Sequence, residues 1–164
     1  MKRLLLLRHA SAGDGPSDAE RPLSERGRGE ARRIAERLAR IAPPPEVALC
    51  STARRARETF EAVRAVLAPS PRLHLEDALY LASAAQIRER VAGLEAAVAA
   101  ALVIGHNPGL EGAARELAPE GAPPALRALR GGLAPAALVV IDLDVADWEA
   151  VASVAGRLVS VEAP

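Results

Sequence analysis

The chain has 164 residues, half of them hydrophobic, with 21 basic and 21 acidic residues and no formal net charge at pH 7. This length fits one domain with a real core, and the balanced charge argues against nucleic acid or an anionic membrane as a partner, since both attract a net basic surface. The single cysteine, Cys50, excludes an internal disulfide and a cysteine-based zinc site. No signal peptide and no membrane-length apolar run is apparent, so we expect a cytoplasmic protein.

The first half of the chain alternates strand and helix patterns. The apolar run Leu4–Leu7 predicts a strand covered on both faces. After a Gly- and Pro-containing loop, Ser24 can cap a helix, whose apolar face is formed by Ala31, Ile34, Ala35 and Leu38. Val47–Cys50 predicts a second strand, and Ser51 is a plausible N-cap for the helix that follows. A short third strand is predicted over residues 73–75.

The second half continues the alternation. A third helix is indicated by the apolar spacing of Ile87, Val91, Leu94 and Val98. A fourth strand follows over residues 101–104, and Asn107 caps a fourth helix in which Pro108 takes the first position. Residues 118–135 are rich in Pro and Gly and predict a loop, residues 137–142 a fifth strand, and residues 148–154 a sixth. This order favours an α/β fold, a three-layer α/β/α arrangement with a mainly parallel central sheet.

Three polar segments each follow a predicted strand. Arg8-His9 follows the first strand, Ser51–Arg55 the second, and Gly105-His106 the fourth. The carboxyl ends of parallel strands meet at one edge of a sheet, where ligands bind. Two of these segments also open helices, whose free backbone N–H groups attract anions. We therefore expect one electropositive cup with an imidazole aimed at its centre.

These residue types suit the transfer of a phosphoryl group through a covalent phosphohistidine. A neutral imidazole is a nucleophile, and the guanidinium fork of arginine matches the oxygens of phosphate. Arg54 and Arg57 compete with Arg55 for this role. The alternative is that all three form a solvated helix face, as runs of charges usually do. His74 lies in a short strand without a motif around it, and a structural role is the better interpretation.

The ordered set of motifs resembles the histidine phosphatase superfamily, which has the phosphoglycerate-mutase-like fold. The match comprises Arg8-His9, Ser51-x-x-x-Arg55-x-x-x-Thr59 and Gly105-His106, and the stretch from Asp18 to Gly27 is most similar to the SixA-type phosphohistidine phosphatases. The resemblance implies that His9 is the nucleophile and that Arg8, Arg55 and His106 bind the phosphoryl group. It also implies that neither a metal nor another cofactor is required.

The general acid is left open between two carboxyl groups. Asp77 precedes Leu79-Tyr80 at a place similar to the acid position of the family, and Asp18 is its rival. Asp18 can instead pair with Arg21 and fold the loop. For the histidines we expect separated pKa values, with His9 neutral and His106 charged, so that the rate falls on both the acid and the alkaline side.

The chain is too short for the helical insertion that covers the site of mutases. An open site and an imidazole leaving group favour phosphohistidine on a protein, such as a phosphotransfer domain, as the substrate. A small phosphorylated metabolite, that is a sugar phosphate or nucleotide, is the alternative within the same chemistry. A phosphate-binding module without turnover is the alternative from another class. The sequence leaves the oligomeric state open.

Overall fold

The structure is a computed structural model that describes residues 1–164, and its centre is one seven-stranded sheet. The strands are β1 Lys2–Arg8, β2 Val47–Ser51, β3 Arg72–Glu76, β4 Ala100–Gly105, β5 Glu120–Gly121, β6 Leu138–Leu143 and β7 Arg157–Glu162. Their order across the sheet is β3-β2-β4-β1-β6-β7-β5. The helices are α1 Glu25–Leu38, α2 Arg54–Arg64, α3 Ala84–Ala92, α4 Gly109–Leu117 and α5 Pro123–Arg130, with short 3-10 helices at Asp77–Leu79 and Trp148–Ala152.

The pairing of the central strands confirms the mainly parallel sheet. β1, β2, β3 and β4 run parallel to one another, whereas β6 is antiparallel to both β1 and β7. In this register Arg8 lies beside Gly105, and Cys50 lies beside Ile104. The residues that follow β1, β2 and β4 therefore leave the sheet at the same edge.

The core lies on both faces of the sheet, which gives the predicted three layers. Alternate side chains of β1 enter two separate apolar clusters: Leu4 and Leu6 join one of 27 buried residues, and Leu5 and Leu7 join one of 19. Helices α1 and α2 cover the smaller cluster, and α3, α4 and α5 cover the larger one. No helical insertion is present over the carboxyl edge of the strands, and no helix is both long and apolar enough to cross a bilayer.

Two predicted helix starts are wrong. Ser51 is the last residue of β2 and is fully buried; α2 begins at Arg54, with Ala53 at the cap position. Asn107 does not cap α4, which begins at Gly109. Ser51 lies on β2, and its hydroxyl bonds to His106 and accepts the N–H of Ala53, which precedes the first helical residue. The Asn107 amide is held by its Nδ2, which donates to Glu111 and to the Leu133 carbonyl, while its Oδ1 accepts no helix N–H.

The C-terminal third departs most from the predicted elements. Residues 118–135 are not a continuous loop, because α5 begins at Pro123, a residue type that is tolerated in a first helical turn. The apolar residues 148–154 form mainly a 3-10 helix, in which the buried Trp148 indole donates to the carbonyl of Val98. The last strand is Arg157–Glu162. Leu94 and Val98 lie beyond α3 and pack on the core from a turn.

Candidate active site

His9 follows β1 and is oriented by the backbone on both sides. Its N–H donates to the carbonyl of Gly105 (3.1 Å), and its own carbonyl accepts from the N–H of Ala136 (3.1 Å). The ring Nδ1 lies 2.8 Å from the carbonyl oxygen of Ala10. Since a carbonyl only accepts hydrogen bonds, Nδ1 carries the proton and Nε2 is unprotonated, with its lone pair available as an acceptor or nucleophile.

Arg55 lies against that lone pair. Its side chain is buried, and its Nε donates to His9 Nε2 at 3.3 Å. Its Nη1 donates to the backbone carbonyl of Asp18 at 2.6 Å, and its Nη2 donates to the Asp18 carboxylate at 3.1 Å. One turn later, Thr59 Oγ1 donates to the Arg55 carbonyl and accepts the N–H of Ala10. The four-residue spacing of Arg55 and Thr59 thus ties α2 to the loop that holds His9.

His106 follows β4 and completes the cluster. Its ring centroid lies 5.0 Å from that of His9, and only 2% of the residue is exposed. Nδ1 is 3.4 Å from Arg55 Nη2, and Nε2 is 2.7 Å from Ser51 Oγ. Because the guanidinium can only donate, Nδ1 accepts and Nε2–H donates to the Ser51 hydroxyl.

Arg8 reaches the same edge from β1 and is half-buried. Its Nη1 donates to the carbonyl of Leu133 at 2.6 Å, while its Nε is buried without a protein partner. Glu111 holds the loop that supplies this carbonyl, since its carboxylate accepts from the Leu133 N–H (3.0 Å) and from Asn107 Nδ2 (3.2 Å). Burial lowers the pKa of Arg8, and the negative charge of Glu111 is the main opposing influence.

Both histidines are neutral in this arrangement. Burial, opposed by the hydrogen bond to Ala10 and assisted by the charges of Arg55 and Arg8, lowers the pKa of His9 to about 4. Burial, assisted by His9 and Arg55, lowers the pKa of His106 to about 3. The expectation of a charged His106 is therefore wrong for the site without an anion, because the ring is buried next to cationic groups.

The two candidate proton donors lie in different surroundings. The exposed Asp18 carboxylate accepts from Tyr80 Oη (2.5 Å), from Arg55 and from Arg21 (3.4 Å). The bonds from Tyr80 and Arg55 lower the pKa of Asp18 to about 2. An ionised carboxylate has no proton to give, so this geometry favours the loop-folding role of Asp18. Asp77 is exposed and accepts from Thr52 Oγ1 at 2.7 Å, without a hydrogen bond to either histidine of the cluster.

The remaining candidates lie outside the cluster. Arg54 is exposed and pairs with Glu58 at 2.7 Å, and Arg57 is exposed without a carboxylate partner. His74 is exposed on β3. Among the three, none contacts His9 or His106, in agreement with the choice of Arg55 by spacing.

Sequence reasoning missed two contributors. Ser51 is the hydrogen-bond partner of His106, although the pattern suggested a helix cap. Tyr80 places its ring edge-on to His106, with centroids 5.5 Å apart, and its hydroxyl on Asp18. The sequence did offer a signal for Tyr80, because the chain has only three residues of the Phe, Trp and Tyr types. The role of Ser51 depends on pairing across β2 and β4, which has no local signal.

Comparison with known proteins finds similar sequences and folds. The model of the histidine phosphatase superfamily, branch 1, matches residues 4–80, which include Arg8, His9 and Arg55. The protein histidine phosphatase SixA, solved with tungstate, superimposes with a TM-score of 0.80 at 26% identity, over 99% of this chain and 97% of that one. The chain is similar to the histidine phosphatase superfamily in sequence over residues 4–80 and in fold over nearly its whole length.

Other similar proteins agree in fold. A SixA protein of Nakamurella multipartitia, assigned as a phosphohistidine phosphatase, has a TM-score of 0.89 at 29% identity, covering 99% of this chain and 96% of that one. A mycobacterial glucosyl-3-phosphoglycerate phosphatase, at 18% identity and a TM-score of 0.67 over 96% of both chains, shares the fold. An uncharacterized chloroplastic protein of Arabidopsis thaliana is 42% identical over 67 residues, which are 39% of this chain and 31% of that protein. The match thus spans about a third of that curated relative's length.

Proposed function

We propose that this chain is a phosphatase that removes the phosphoryl group from phosphohistidine on a protein, through a covalent phosphohistidine at His9. The observation that carries the proposal is the orientation of the His9 ring. Its protonated Nδ1 is held by the carbonyl of Ala10, and its unprotonated Nε2 faces the guanidinium of Arg55. A neutral imidazole with its lone pair directed at an anion-binding arginine is equipped for attack on phosphorus.

The first step transfers the phosphoryl group from substrate to enzyme. The lone pair of His9 Nε2 forms a bond to phosphorus while the phosphorus–nitrogen bond of the substrate breaks. The leaving imidazole takes the bonding electrons and one proton from water. His9 keeps its Nδ1 proton on the Ala10 carbonyl, which stabilises the positive charge that the phosphorylated ring acquires.

The second step restores the enzyme. Water attacks the phosphorus, the bond from phosphorus to His9 Nε2 breaks, and its electron pair returns to the ring. The water loses the proton that the first step consumed, so that inorganic phosphate and the neutral His9 are formed. Both steps need charge stabilisation at the non-bridging oxygens more than they need further covalent chemistry.

Arg8, Arg55 and His106 supply that stabilisation in this proposal. A bound phosphoryl group takes the place of the Asp18 carboxylate at Arg55 Nη2, an atom that already binds a carboxylate oxygen. Its negative charge raises the pKa of the adjacent His106. His106 can then donate from Nδ1, while Ser51 holds Nε2. These groups do the electrostatic work of a metal ion, so we propose a reaction without a cofactor.

The surroundings of the cluster favour phosphohistidine over an alkyl phosphate. Neither candidate carboxyl group offers a proton next to His9, since Asp18 is ionised and Asp77 is directed to Thr52. The phosphorylated imidazole of the substrate can take a proton from water near neutral pH and leave as a neutral ring, so it needs an enzyme acid less than an alkoxide does. The absence of a helical insertion over the strand edge leaves room for a protein side chain. Likeness in sequence and fold to SixA proteins supports the same substrate class.

The decisive test quenches the reaction of the enzyme with labelled phosphohistidine substrate in acid and in alkali. We expect label on the enzyme that survives alkali and is lost in acid, and no label on His9→Ala. His74→Ala is the matched control, since it removes an exposed histidine from β3 and should retain labelling and turnover. Phosphate release by His9→Ala equal to wild type would refute the nucleophile.

A small phosphorylated metabolite is the second candidate, because the fold is shared with a glucosyl-3-phosphoglycerate phosphatase. Labelling of His9 does not separate the two substrate classes. The two classes are separated by comparing kcat/KM for a phosphohistidine protein with kcat/KM for sugar phosphates and nucleotides. A higher value for any of the metabolites would reassign the substrate.

A further inference from the structure

The charges of this neutral chain are unevenly distributed. Helices α1 and α2, which together cover one face of the sheet, carry nine arginines and five glutamates, whereas the whole chain has 21 basic and 21 acidic residues. The rest of the molecule is therefore net acidic. Several arginines on this face have no carboxylate partner within ion-pair distance, and these are Arg28, Arg32, Arg33 and Arg57. The α1–α2 face thus presents uncompensated positive charge.

A groove of about 360 Å³ runs between the two helices on this face. Its apolar lining comes from Leu23, Ala31 and Ala62, and its basic lining from Arg28, Arg32 and Arg54. Arg28 and Arg32 are one helical turn apart, so their exposed side chains lie on the same side of α1. Two glutamates also line the groove, but both carboxylates have partners: Glu58 accepts from the Leu23 N–H (2.8 Å) and Arg54 Nε (2.7 Å), and Glu61 pairs with Arg64 (3.1 Å).

One loop separates the groove from the proposed phosphoryl site. Their shared wall is the loop of residues 18–23. On one side, the Asp18 carbonyl binds Arg55 in the cluster; on the other side, Leu23 lines the groove. The N–H of Arg54 donates to the Ala19 carbonyl at 2.9 Å, so the two arginines that open α2 face the two sides of one loop. A protein that inserts a side chain into the site would therefore lie over this groove.

We propose that the groove between α1 and α2 is a docking surface for an acidic patch that flanks the phosphorylated histidine of the substrate protein. This inference rests on the proposed function and names the chemistry of its partner. The carboxylates of the partner pair with Arg28 and Arg32, and its apolar atoms cover Leu23, Ala31 and Ala62. Complementary charge of this kind accelerates encounter and orients the partner, so the surface acts on recognition and not on the chemical step.

The test compares one enzyme on two substrates. The first is a histidine-phosphorylated domain of net negative charge, and the second is free N-phosphohistidine, which is too small to span the groove. For Arg28→Glu/Arg32→Glu we expect kcat/KM on the protein to fall about 10-fold or more, mainly through KM and with weaker salt dependence. The value for N-phosphohistidine should stay within about twofold of wild type.

Two further variants keep the result interpretable. Arg28 Nη1 also donates to the Leu23 carbonyl (3.0 Å), so the double variant removes a contact of the loop beside the site. Arg32 is exposed and makes no hydrogen bond or ion pair within the chain, so Arg32→Glu alone, which should show part of the effect, breaks no polar contact of the fold. Arg127→Glu/Arg157→Glu is the matched control, since it makes the same change in net charge at exposed arginines away from α1 and α2. It should leave both substrates unaffected.

Each outcome points to one conclusion. Wild-type efficiency of Arg28→Glu/Arg32→Glu on the protein overturns the docking surface and leaves the proposed function standing. An equal loss on both substrates in Arg32→Glu also overturns it, because this arginine, which bonds to no other residue, would then act on the phosphoryl site and not on docking. An inactive wild type on both substrates contradicts the proposed function itself.

Discussion

At the scale of single residues, hydrogen-bond partners decide the state of the titratable groups. His9 and His106 are of one residue type, but the carbonyl of Ala10 leaves Nε2 of His9 unprotonated and facing Arg55, whereas Ser51 and Arg55 hold both nitrogens of His106. Asp18 shows the same principle for a carboxyl group, since its bonds from Tyr80 and Arg55 keep its pKa at about 2. Its charge therefore competes with a phosphoryl group for Arg55.

Replacement of Asp18 tests this competition. In Asp18→Asn we expect inorganic phosphate to inhibit about 3- to 10-fold more tightly, because one negative charge near the anion site is removed while the backbone carbonyl still holds Arg55. Asp14→Asn, an exposed change in the same loop, is the control. A fall in kcat of about 100-fold or more would instead identify Asp18 as the proton donor.

At the scale of elements, the site depends on how α1 packs under the loop after β1. The carbonyl of Ser11 lies directly above Gly27, where an added Cβ would come within 1.9 Å of the oxygen. The loop is held from the same helix by the buried Glu30, which accepts from the N–H and hydroxyl of Ser11. Ser11 follows Ala10, the residue that fixes the tautomer of His9.

Two glycine substitutions in α1 should have opposite effects. Gly27→Ala forces a backbone shift, and we expect a loss of about 1–3 kcal/mol in the free energy of unfolding together with reduced kcat. Gly29→Ala meets only the flexible end of Arg33 at 3.2 Å and should increase stability by about 0.5–1 kcal/mol with unchanged kcat. Urea unfolding and steady-state kinetics measure both. Equal effects of the two variants would contradict this packing.

At the scale of the whole molecule, folding assembles cationic groups at one edge of the sheet and buries two imidazoles among them. Residues from β1, β2 and β4 meet only when the parallel sheet forms. His9 and His106 then have pKa values of about 4 and about 3 in place of 6.5. Acid stability is consequently coupled to the same geometry that the proposed reaction uses.

The free energy of unfolding should fall as the pH is lowered from about 6.5 to 4. In that window the unfolded chain binds protons at both histidines while the folded chain does not, so stability rises with pH. Asp18 acts lower, between 3.8 and about 2, where protonation removes its bonds. Denaturant titrations of wild type and of His9→Gln/His106→Gln measure the effect. The double variant should have the flatter pH dependence, and parallel curves would contradict the lowered pKa values.

The same values change the expected pH–rate profile. An acid limb near pH 4 is expected for kcat/KM, because His9 must be neutral to attack. An alkaline limb from loss of a proton on His106 is not expected for the free enzyme, since His106 is already neutral at neutral pH. A fall in kcat/KM as the pH rises from 6 to 8 would contradict this and would show that His106 is charged in the free enzyme.

The amino-acid sequence by itself determined the alternation of strands and helices through residue 117, because short apolar runs are local signals. It also determined the family resemblance, because each of the motifs around Arg8-His9, Arg55 and His106 is short and is recognised in one stretch of the chain. It did not determine α5 or β7, whose patterns are short and depend on packing against distant residues. Only the tertiary structure decided that Ser51 is the hydrogen-bond partner of His106 and that Tyr80 and Arg55 donate hydrogen bonds to Asp18. It also decided that His106 is neutral. Those properties arise from burial and from contacts between strands and loops that are far apart in sequence, and no short stretch of the chain predicts burial or such contacts.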